Sequence, residues 1–435
     1  MQFVSTRNKQ HKVPLKDVVL KGLADDGGLF MPEEIPEFSA NWWNTLSDKS
    51  DHRIATDLLH FYLKDEFSED EVFEIAEESL NFPLPVKTLD EKTHILELFH
   101  GPTLAFKDVG ARFLASVMER LLQRERQNLT ILTATSGDTG SAVAQAFYGS
   151  ERIKVVVLYP KGRVSEVQEQ QIATLGHNIT ALEVNGNFDD CQRIVKKAFK
   201  NPELRKQHRL TSANSINLLR LLPQMIYYVL SRRDLQNDTE DFKPVYSVPS
   251  GNFGNLTAGL IAWKMGMPAY RFLAACNANH VFPDFLKTGK YNPHPSKTTL
   301  SNAMDVGDPS NFERMKFLFG ESVETYHSIL WSNSYADDDT LQAIAGTYKA
   351  YDYLADPHTA VGLNAWQDYL TKEAPDQTGI VLSTAHPSKF GDSVKQATGT
   401  NPDIPERLAK HLGAKKLSVS ISNNSEELSK ILESG

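Results

Sequence analysis

Residues 129–147 read LTILTATSGDTGSAVAQAF, an apolar run that leads through a loop rich in glycine and hydroxyl groups into an amphipathic stretch. The run at residues 129–134 predicts a buried strand, and residues 139–147 predict a helix. A strand, a short loop and a helix in this order form the repeating unit of parallel α/β sheets. We therefore expect an α/β fold in which this loop lies at the end of a strand, where such sheets bind ligands.

The same alternation continues on both sides of this stretch. Apolar runs predict strands at residues 94–98, 129–134, 154–159, 179–184, 244–248, 272–277 and 379–383. Helical periodicity predicts helices at residues 109–124, 139–147, 164–175, 188–199 and 215–230. Because parallel strands need such crossover helices, the pattern favours open, mostly parallel sheets.

The beginning of the chain has a different pattern. Helical periodicity is present at residues 15–23, 54–63 and 68–80. Ser68 and Glu71 have the spacing of a capping box, which predicts the start of the third helix. The segment NFPLP at residues 81–85 contains two prolines, which break any helix. We therefore expect a mainly helical first domain at residues 1–92.

The composition is that of a globular protein with several domains. The chain has 435 residues, and 46 Lys and Arg against 55 Asp and Glu give a net charge of -9. This charge argues against a general basic surface for nucleic acid, and no apolar stretch is long enough to cross a membrane. The cysteines Cys191 and Cys276 form neither a disulfide framework nor a zinc motif, and no secretory signal is visible. We expect a cytoplasmic protein that binds no nucleic acid and no membrane.

One lysine follows a predicted strand and a Gly-Pro turn. Residues 97–108 read ELFHGPTLAFKD, which places Lys107 beside Phe106 at a helix start. The helix amide groups and the apolar ring both disfavour the ammonium form. A lysine with a lowered pKa can form a Schiff base or act as a base, whereas an ordinary lysine in a first turn is simply solvated. Position alone leaves both interpretations open.

The loop of the opening stretch contains five hydroxyl side chains and two glycines within nine residues, 133–141. Its donors stand at a helix N-terminus, a geometry that binds a carboxylate or a phosphate. The alternative is an ordinary strand–turn–helix in which Ser136 or Asp138 caps the helix.

A second loop of this kind follows the strand predicted at residues 244–248. It reads SGNFGNLT at residues 250–257, and its glycines let backbone amides converge on a phosphate. It is neither a Walker A loop nor GxGxxG, so it does not support nucleotide binding. The alternative is a glycine-rich turn that packs closely on the sheet.

Two further segments carry suitable polar groups. Ser215, Asn217 and Arg220 lie within about two helical turns and could hold a phosphate. They could equally form a capped amphipathic helix with a surface arginine. In the segment STAHPSKF, Thr384 could hydrogen-bond a ring nitrogen, and we interpret His386 as a structural turn residue. No His or carboxylate spacing predicts a metal site, and no nucleophile elbow occurs.

Taken together, these segments resemble the β family (fold type II) of pyridoxal-phosphate enzymes. The lysine after Ala105-Phe106, the TSGDTG and SGNFGN loops and the threonine near the C-terminus carry this resemblance. Further segments are similar to the long-form threonine synthase family: STR at residues 5–7, LADDGGLF at 23–30, FHGPT at 99–103, NSIN at 214–217, DVGDPSNFER at 305–314 and DPHTAVG at 356–362. The match runs over nearly the whole chain.

The resemblance implies a domain organisation. It implies two open, mostly parallel α/β lobes together with the N-terminal mainly helical domain at residues 1–92. The large cofactor-binding domain is expected at residues 93–110 and 211–435. The smaller, mobile domain is expected at residues 111–210.

The resemblance also implies roles for individual residues. Lys107 is the implied catalytic residue and binds pyridoxal 5′-phosphate as a Schiff base. The other residues expected to bind the cofactor are Asp138, Gly251, Asn252, Phe253, Gly254, Asn255 and Thr384. The residues expected to bind the substrate are Ser136, Thr139, Ser215, Asn217 and Arg220, with Lys161 or Lys389 near its phosphate. Asp138 stands where many β-family members have Asn, a difference shared with the long-form family.

The implied activity is that of a carbon–oxygen lyase acting on phosphates. O-phospho-L-homoserine and water give L-threonine and phosphate, with loss of phosphate from Cγ and addition of water at Cβ. The protein is expected to be a monomer or a homodimer. The alternatives are another β-family lyase, such as a hydroxy-amino-acid dehydratase, or a phospho-lyase that does not make threonine. A binding protein on this fold would lack the lysine or a loop, and a nicotinamide-dependent dehydrogenase would need GxGxxG.

Overall fold

The computed structural model describes residues 1–135, 137–236 and 242–434, with only the backbone of Ser434. The strands in these ranges are β1 (Phe3–Ser5), β2 (Lys12–Val13), β3 (Phe30–Pro32), β4 (Val86–Thr88), β5 (Thr93–Glu97), β6 (Leu129–Ala134), β7 (Ile153–Pro160), β8 (Ile179–Val184), β9 (Leu210–Thr211), β10 (Val245–Pro249), β11 (Arg271–Cys276), β12 (Leu330–Ser334), β13 (Gly379–Ser383) and β14 (Val419–Ile421).

The helices of the described residues are α1 (Leu15–Lys21), α2 (Ala40–Asn44), α3 (Asp51–Leu63), α4 (Glu69–Ser79), α5 (Lys107–Glu125), α6 (Asp138–Ala146), α7 (Glu166–Ala173), α8 (Phe188–Lys200), α9 (Pro202–His208), α10 (Leu218–Leu221), α11 (Met225–Leu235), α12 (Gly254–Lys264), α13 (Val281–Thr288), α14 (Phe312–Phe319), α15 (Val323–Ile329), α16 (Asp337–Tyr351), α17 (Pro357–Lys372), α18 (Gly391–Thr398), α19 (Glu406–Ala409) and α20 (Ser425–Ser434). Short 3₁₀ helices lie at Leu46–Asp48, Leu222–Gln224, Asn302–Met304 and Pro387–Phe390.

The larger sheet has the strand order β12-β11-β10-β13-β5-β4. Neighbouring strands pair in parallel except β4, which pairs antiparallel with β5 at the edge. The strands predicted at residues 94–98, 244–248, 272–277 and 379–383 are confirmed, each shifted by at most one residue. The edge strand β12 was not predicted, because most of its residues are polar and only half-buried.

The smaller sheet has the order β14-β8-β7-β6-β9, and all its strands are parallel. The strands predicted at residues 129–134, 154–159 and 179–184 are confirmed. The two sheets confirm the expected α/β fold with two open, mostly parallel lobes. Because β6 and β10 run directly into the two glycine-rich loops, both loops lie at carboxyl ends of parallel strands.

The first section of the chain combines helices with a small sheet. The helices α3 and α4 are confirmed, and so is the capping box at the start of α4. The Glu71 amide donates to Ser68 Oγ (3.3 Å), and the Ser68 amide donates to Glu71 Oε2 (2.9 Å). The strands β1, β2 and β3 form an antiparallel sheet that was not predicted, because strands this short show no detectable alternation.

Strand pairing departs from the expected domain division in two places. β4 lies before residue 92 but pairs with β5 of the larger sheet. β14 lies in the segment assigned to the large domain, but it pairs with β8 of the smaller sheet, and α20 packs on α8. Local periodicity cannot show which sheet edge a short strand joins, so the sequence did not reveal this return of the chain. The division at residues 92, 110 and 210 stays a prediction.

The helix predicted at residues 215–230 is divided into three pieces. Asn217 caps α10, and Pro223 lies in the 3₁₀ turn Leu222–Gln224 before α11 begins. Proline has no amide hydrogen to continue the helical bonding. Arg220 therefore lies in a short separate helix whose side chains are buried.

Apolar side chains from the first section and from both lobes share one buried cluster. Within it, α5 and α10 pack unusually closely, since a Cβ on Gly110 would lie 2.3 Å from the carbonyl oxygen of Arg220. Such a contact excludes any side chain at Gly110 and holds the start of α5 against α10. No helix in residues 1–135, 137–236 or 242–434 combines the length and apolar character that crossing a bilayer requires.

Candidate active site

Lys107 begins α5 and lies beside the end of β13. The Phe106 amide donates to the carbonyl oxygen of Thr384 (2.9 Å), which places the two segments side by side. The Lys107 Nζ lies 3.9 Å from Asp138 Oδ2, and the Lys107 side chain is only 14% exposed. The structure therefore brings together the lysine, the threonine after β13 and the loop after β6.

The environment of Lys107 lowers its pKa to about 8. Burial is the main cause, the charge of Asp138 opposes it, and repulsion from Lys389 and Arg220 adds to it. A fraction of the amine is therefore neutral at physiological pH, whereas a solvated lysine is almost fully protonated. The neutral amine is the form that attacks a carbonyl carbon or accepts a proton.

Asp138 is the first residue of α6 and is 3% exposed. Its Oδ1 accepts hydrogen bonds from Lys389 Nζ (2.8 Å) and from Gln168 Nε2 (2.9 Å). Burial alone would raise the pKa of Asp138, but the charges of Lys389 and Lys107 outweigh it and hold the pKa well below the usual range. Asp138 is therefore a carboxylate that faces the lysines, and it does not cap α6.

The loop between β6 and α6 turns sharply at a glycine. Gly137 has a φ of +141°, and a Cβ there would lie 2.4 Å from the side chain of Gln168. Thr139 is half-buried in the first turn of α6, where the helix offers amide groups to an anion. Ser136, the other residue of this loop expected to bind substrate, lies outside the described residues.

The loop between β10 and α12 is closely covered by a neighbouring segment. A Cβ on Gly251 would lie 2.6 Å from the Cα of Met304, so only glycine fits there. Phe253, just before α12, has a φ of +58°, which is uncommon for a residue with a side chain. The backbone is thus held in a tight turn that directs amide groups of the helix N-terminus into the site.

Asn255 supplies a free hydrogen-bond donor next to this turn. Its Oδ1 accepts from the hydroxyls of Tyr227 (2.7 Å) and Tyr228 (2.6 Å). Its buried Nδ2 has no partner among the residues that the structure describes. A buried donor left unpaired costs free energy unless a ligand satisfies it. This orphaned donor at a helix N-terminus fits the phosphate group of pyridoxal phosphate.

We expect Gly251→Ala to lower the affinity for pyridoxal phosphate by about tenfold or more, because the loop must shift away from Met304. Gly346→Ala is the matched control, since a Cβ at Gly346 in α16 would meet nothing within 4 Å. Titration of the cofactor-free variants with pyridoxal phosphate measures the difference. Equal affinities for the two variants would contradict a phosphate site at this loop.

Ser215 lies against the same loop, and Asn217 lies behind it. Asn252 Nδ2 donates to Ser215 Oγ (2.7 Å). The Oδ1 of Asn217 caps α10, while its Nδ2 donates to the carbonyl oxygens of Val19 (3.0 Å) and Ser212 (3.3 Å). The Asn217 amide thus has no free polar atom to offer a substrate, and it serves to position this segment.

Arg220 is buried, with 3% of its surface exposed, and so is not the surface arginine of the alternative interpretation. Its Nη1 donates to the carbonyl oxygen of Ala213, and its Nε has no partner among the described residues. Burial lowers the pKa of Arg220 to about 10, and the charge of Asp108 opposes this shift. A buried guanidinium with an unused donor is a binding site for an anion.

His386 has a structural part in the turn after β13. Its Nδ1 accepts from the Ser388 amide (3.2 Å) and caps the 3₁₀ turn Pro387–Phe390. Burial lowers the pKa of His386 to about 4, so the imidazole is neutral. This arrangement agrees with the structural interpretation of His386.

The structure separates the two lysines expected near the substrate phosphate. Lys389 is buried, and its Nζ contacts Asp138 Oδ1 and the carbonyl oxygen of Thr103 at 2.8 Å each. Lys161 instead lies at the surface in an ion pair with Glu183 (3.2 Å). Lys389 is therefore buried beside Asp138, whereas Lys161 directly follows β7, the central strand of the smaller sheet, and its side chain is exposed.

Some groups of the site carried no interpretable sequence signal. Gln168 is an ordinary helix residue in sequence, although it hydrogen-bonds Asp138. Arg314 is completely buried and donates to the carbonyl oxygens of Ser215 (2.9 Å) and Ile216 (2.6 Å). The segment DVGDPSNFER thus supports the Ser215 segment, a role that only the resemblance, and no chemical pattern, could have suggested.

Three family models match this chain. The model described as a pyridoxal-phosphate dependent enzyme matches residues 83–384. The model for the threonine synthase N terminus matches residues 2–80, and the model for the threonine synthase C-terminal region matches residues 359–432. Together these matches cover both lobes, the first section and the tail.

Relatives and solved structures extend over the same length. The chain is 41% identical to threonine synthase of Escherichia coli (strain K12) over 409 residues, covering 94% of each, and 42% identical to that of Haemophilus influenzae over 431 residues, covering 98% of each. The crystal structure of the E. coli threonine synthase matches with a TM-score of 0.92 at 38% identity, covering 100% of both chains. A threonine synthase from Brucella melitensis with bound pyridoxal phosphate matches with a TM-score of 0.93 at 33% identity, covering 100% of this chain and 99% of that one. With its buried lysine, anion loops and these matches, the chain belongs to the threonine synthase family of fold-type II, pyridoxal-phosphate-dependent lyases.

Proposed function

We propose that this site converts O-phospho-L-homoserine and water into L-threonine and phosphate. The observation that carries the proposal is the buried Lys107 with a pKa of about 8, next to Asp138 and to the buried guanidinium of Arg220. When bound, pyridoxal phosphate supplies a carbonyl for a Schiff base and a ring that accepts electrons from the substrate. The remaining tasks, which are binding, orientation and proton transfer, fall to the chain.

Lys107 carries the protons of the reaction. Its neutral amine takes the proton from Cα of the substrate, a second proton leaves Cβ as phosphate leaves Cγ, and the ammonium form returns a proton at Cγ before water adds at Cβ. Asp138 stabilises that ammonium form from 3.9 Å without holding it in a close ion pair. A pKa near the working pH suits a group that must both accept and donate.

The substrate carries a phosphate and a carboxylate, while the protein has a net charge of -9. Attraction must therefore come from local groups. Arg220 and Ser215 bind the substrate phosphate, and the first turn of α6 with Thr139 binds the carboxylate. The loop at residues 251–255 holds the phosphate of the cofactor.

Thr384 would face the ring nitrogen of bound cofactor with its hydroxyl group. A hydroxyl does not hold a positive charge on the ring as a carboxylate would. A hydroxyl at this position would leave the cofactor a weaker acceptor of electrons, which would favour loss of phosphate over transfer of the amino group. The short contact between the Thr384 carbonyl and the Phe106 amide keeps the threonine close to Lys107.

The proposal extends to the surroundings of the site. The smaller lobe, expected at residues 111–210 and joined by β14, closes on the substrate and excludes water. The described cysteines Cys191 and Cys276 are free and buried, which is consistent with a reducing cytoplasm. The protein is a monomer or a homodimer, which sedimentation velocity distinguishes.

An assay of the products tests the proposed reaction. Purified protein with pyridoxal phosphate and O-phospho-L-homoserine should release phosphate and threonine in equal amounts. Phosphate release without threonine would identify a phospho-lyase. Ammonia release from a hydroxy-amino acid, with no phosphate release, would identify a dehydratase. Either of these results would overturn the proposed function.

A further inference from the structure

A buried ion pair joins the two lobes directly beside Lys107. Lys389 lies in the 3₁₀ turn after β13 of the larger sheet, and its side chain is 0% exposed. Asp138 begins α6, which follows β6 of the smaller sheet. The Lys389 Nζ lies 2.8 Å from Asp138 Oδ1 and also donates to the carbonyl oxygen of Thr103 (2.8 Å). The ammonium group is thus fixed by both lobes at once.

The two oxygens of Asp138 serve different lysines. Oδ1 is bound by Lys389 and by Gln168, whereas Oδ2 faces Lys107 at 3.9 Å, beyond hydrogen-bond distance. One buried carboxylate cannot compensate two ammonium groups fully. Because the contact with Lys389 is the closer one, Lys107 is the lysine that can lose its proton at low cost.

We propose that Lys389 is a positioning residue, which holds Asp138 across the lobe interface and so keeps the carboxylate from pairing closely with Lys107. This inference deepens the proposed function and rests on Lys107 as the lysine that binds the cofactor. The other charged group that faces Lys107 is Arg220. Asp108, in turn, interacts with the charges of Arg220 and Lys389.

The charges predict shifts of opposite sign for the two partners. Lys389→Met frees Asp138 to pair with Lys107, which raises the pKa of Lys107. Asp138→Asn removes the attraction and leaves the repulsion from Lys389, which lowers that pKa. The double variant removes both charges and returns the pKa of Lys107 towards its wild-type value. Lys389→Arg keeps the positive charge, so the pKa of Lys107 should stay near the wild-type value. A merely structural role for Lys389 would not produce opposite signs and their cancellation.

The test measures the rate at which full-length, cofactor-free protein takes up pyridoxal phosphate, as a function of pH, from the visible absorbance. The midpoint of this profile should rise by about one pH unit in Lys389→Met, fall by about one unit in Asp138→Asn, and return to within about half a unit of wild type in the double variant. Lys372→Met is the matched control, because Lys372 forms an exposed ion pair with Asp368.

Circular dichroism and thermal melting establish that each variant is folded, and Lys389→Gln, which also removes the charge, covers the case in which Lys389→Met does not fold. Midpoints that move in the same direction for Lys389→Met and Asp138→Asn, or a wild-type midpoint in Lys389→Met, would overturn the inference. In either case, visible absorbance that still depends on Lys107 would leave the proposed function standing. Absorbance that persists without Lys107 would instead overturn the proposed function itself.

Discussion

Lys107→Ala is expected to remove the visible absorbance of the lysine-bound cofactor and to lower kcat by about 10³-fold or more. The variant lacks the lysine that begins α5 beside Thr384 and Asp138, so it loses both the attachment point and the carrier of protons. Absorbance spectra with added pyridoxal phosphate, followed by a phosphate-release assay, measure both effects.

The control is Lys16→Ala, which removes a half-buried lysine paired with Glu125 and should retain spectrum and activity. In the wild type, borohydride should fix the cofactor on the peptide that contains Lys107. Lys389 is the informative competitor, because it is the second lysine at Asp138. Cofactor recovered on Lys389, or a normal spectrum in Lys107→Ala, would contradict the assignment.

The parts of the fold that follow from local pattern could be predicted from the sequence. β6 and β10 are apolar runs that end in glycine-rich loops, and each signal lies within one short segment. The capping box of Ser68 and Glu71 is local in the same sense. The loops could therefore be placed at strand ends, and Lys107 at a helix start, before any packing was known.

The parts that depend on distant contacts could not be predicted. The burial of Arg220 could not be predicted, because it depends on the packing of α5 against α10. The close approach of Gly110 to Arg220 shows this packing. Asn217 resembled a ligand for phosphate, but the carbonyl oxygen of Val19 in the first section occupies its amide. The ion pair between Lys389 and Asp138 joins two lobes, and no sequence pattern in either segment predicts it.

The return of β14 to the smaller sheet could not be predicted for the same reason. Val419–Ile421 is too short and too exposed for a clear strand signal, and its pairing with β8 is settled by tertiary packing. A short strand that crosses back between lobes leaves no local signal, so the division at residues 92, 110 and 210 stays a prediction.

Arg220→Gln is expected to raise the KM for O-phospho-L-homoserine by about 10²-fold while the cofactor spectrum stays unchanged. The wild-type guanidinium is buried, and its Nε has no partner within the described chain, so a phosphate oxygen can take a charge-assisted hydrogen bond. Loss of this charge-assisted bond from a buried site costs up to about 3 kcal/mol, which corresponds to about 10²-fold in affinity. Steady-state kinetics of phosphate release measure the change.

Arg112→Gln is the matched control. Arg112 is a half-buried arginine of α5 that donates to the carbonyl oxygen of Ser79 in the first section (3.1 Å). The variant should leave the KM within about threefold of wild type, since it removes no group from the site.

Inorganic phosphate separates the two phosphate sites. It should compete with substrate in the wild type and in Arg112→Gln, and lose that effect in Arg220→Gln. If Arg220→Gln lost the cofactor spectrum instead, Arg220 would belong to the cofactor phosphate. An unchanged KM in a folded Arg220→Gln variant would leave the buried guanidinium without a role in substrate binding. The first result is the expected one, because the buried guanidinium keeps an unused donor and the charge of Asp108 only partly offsets the effect of its burial.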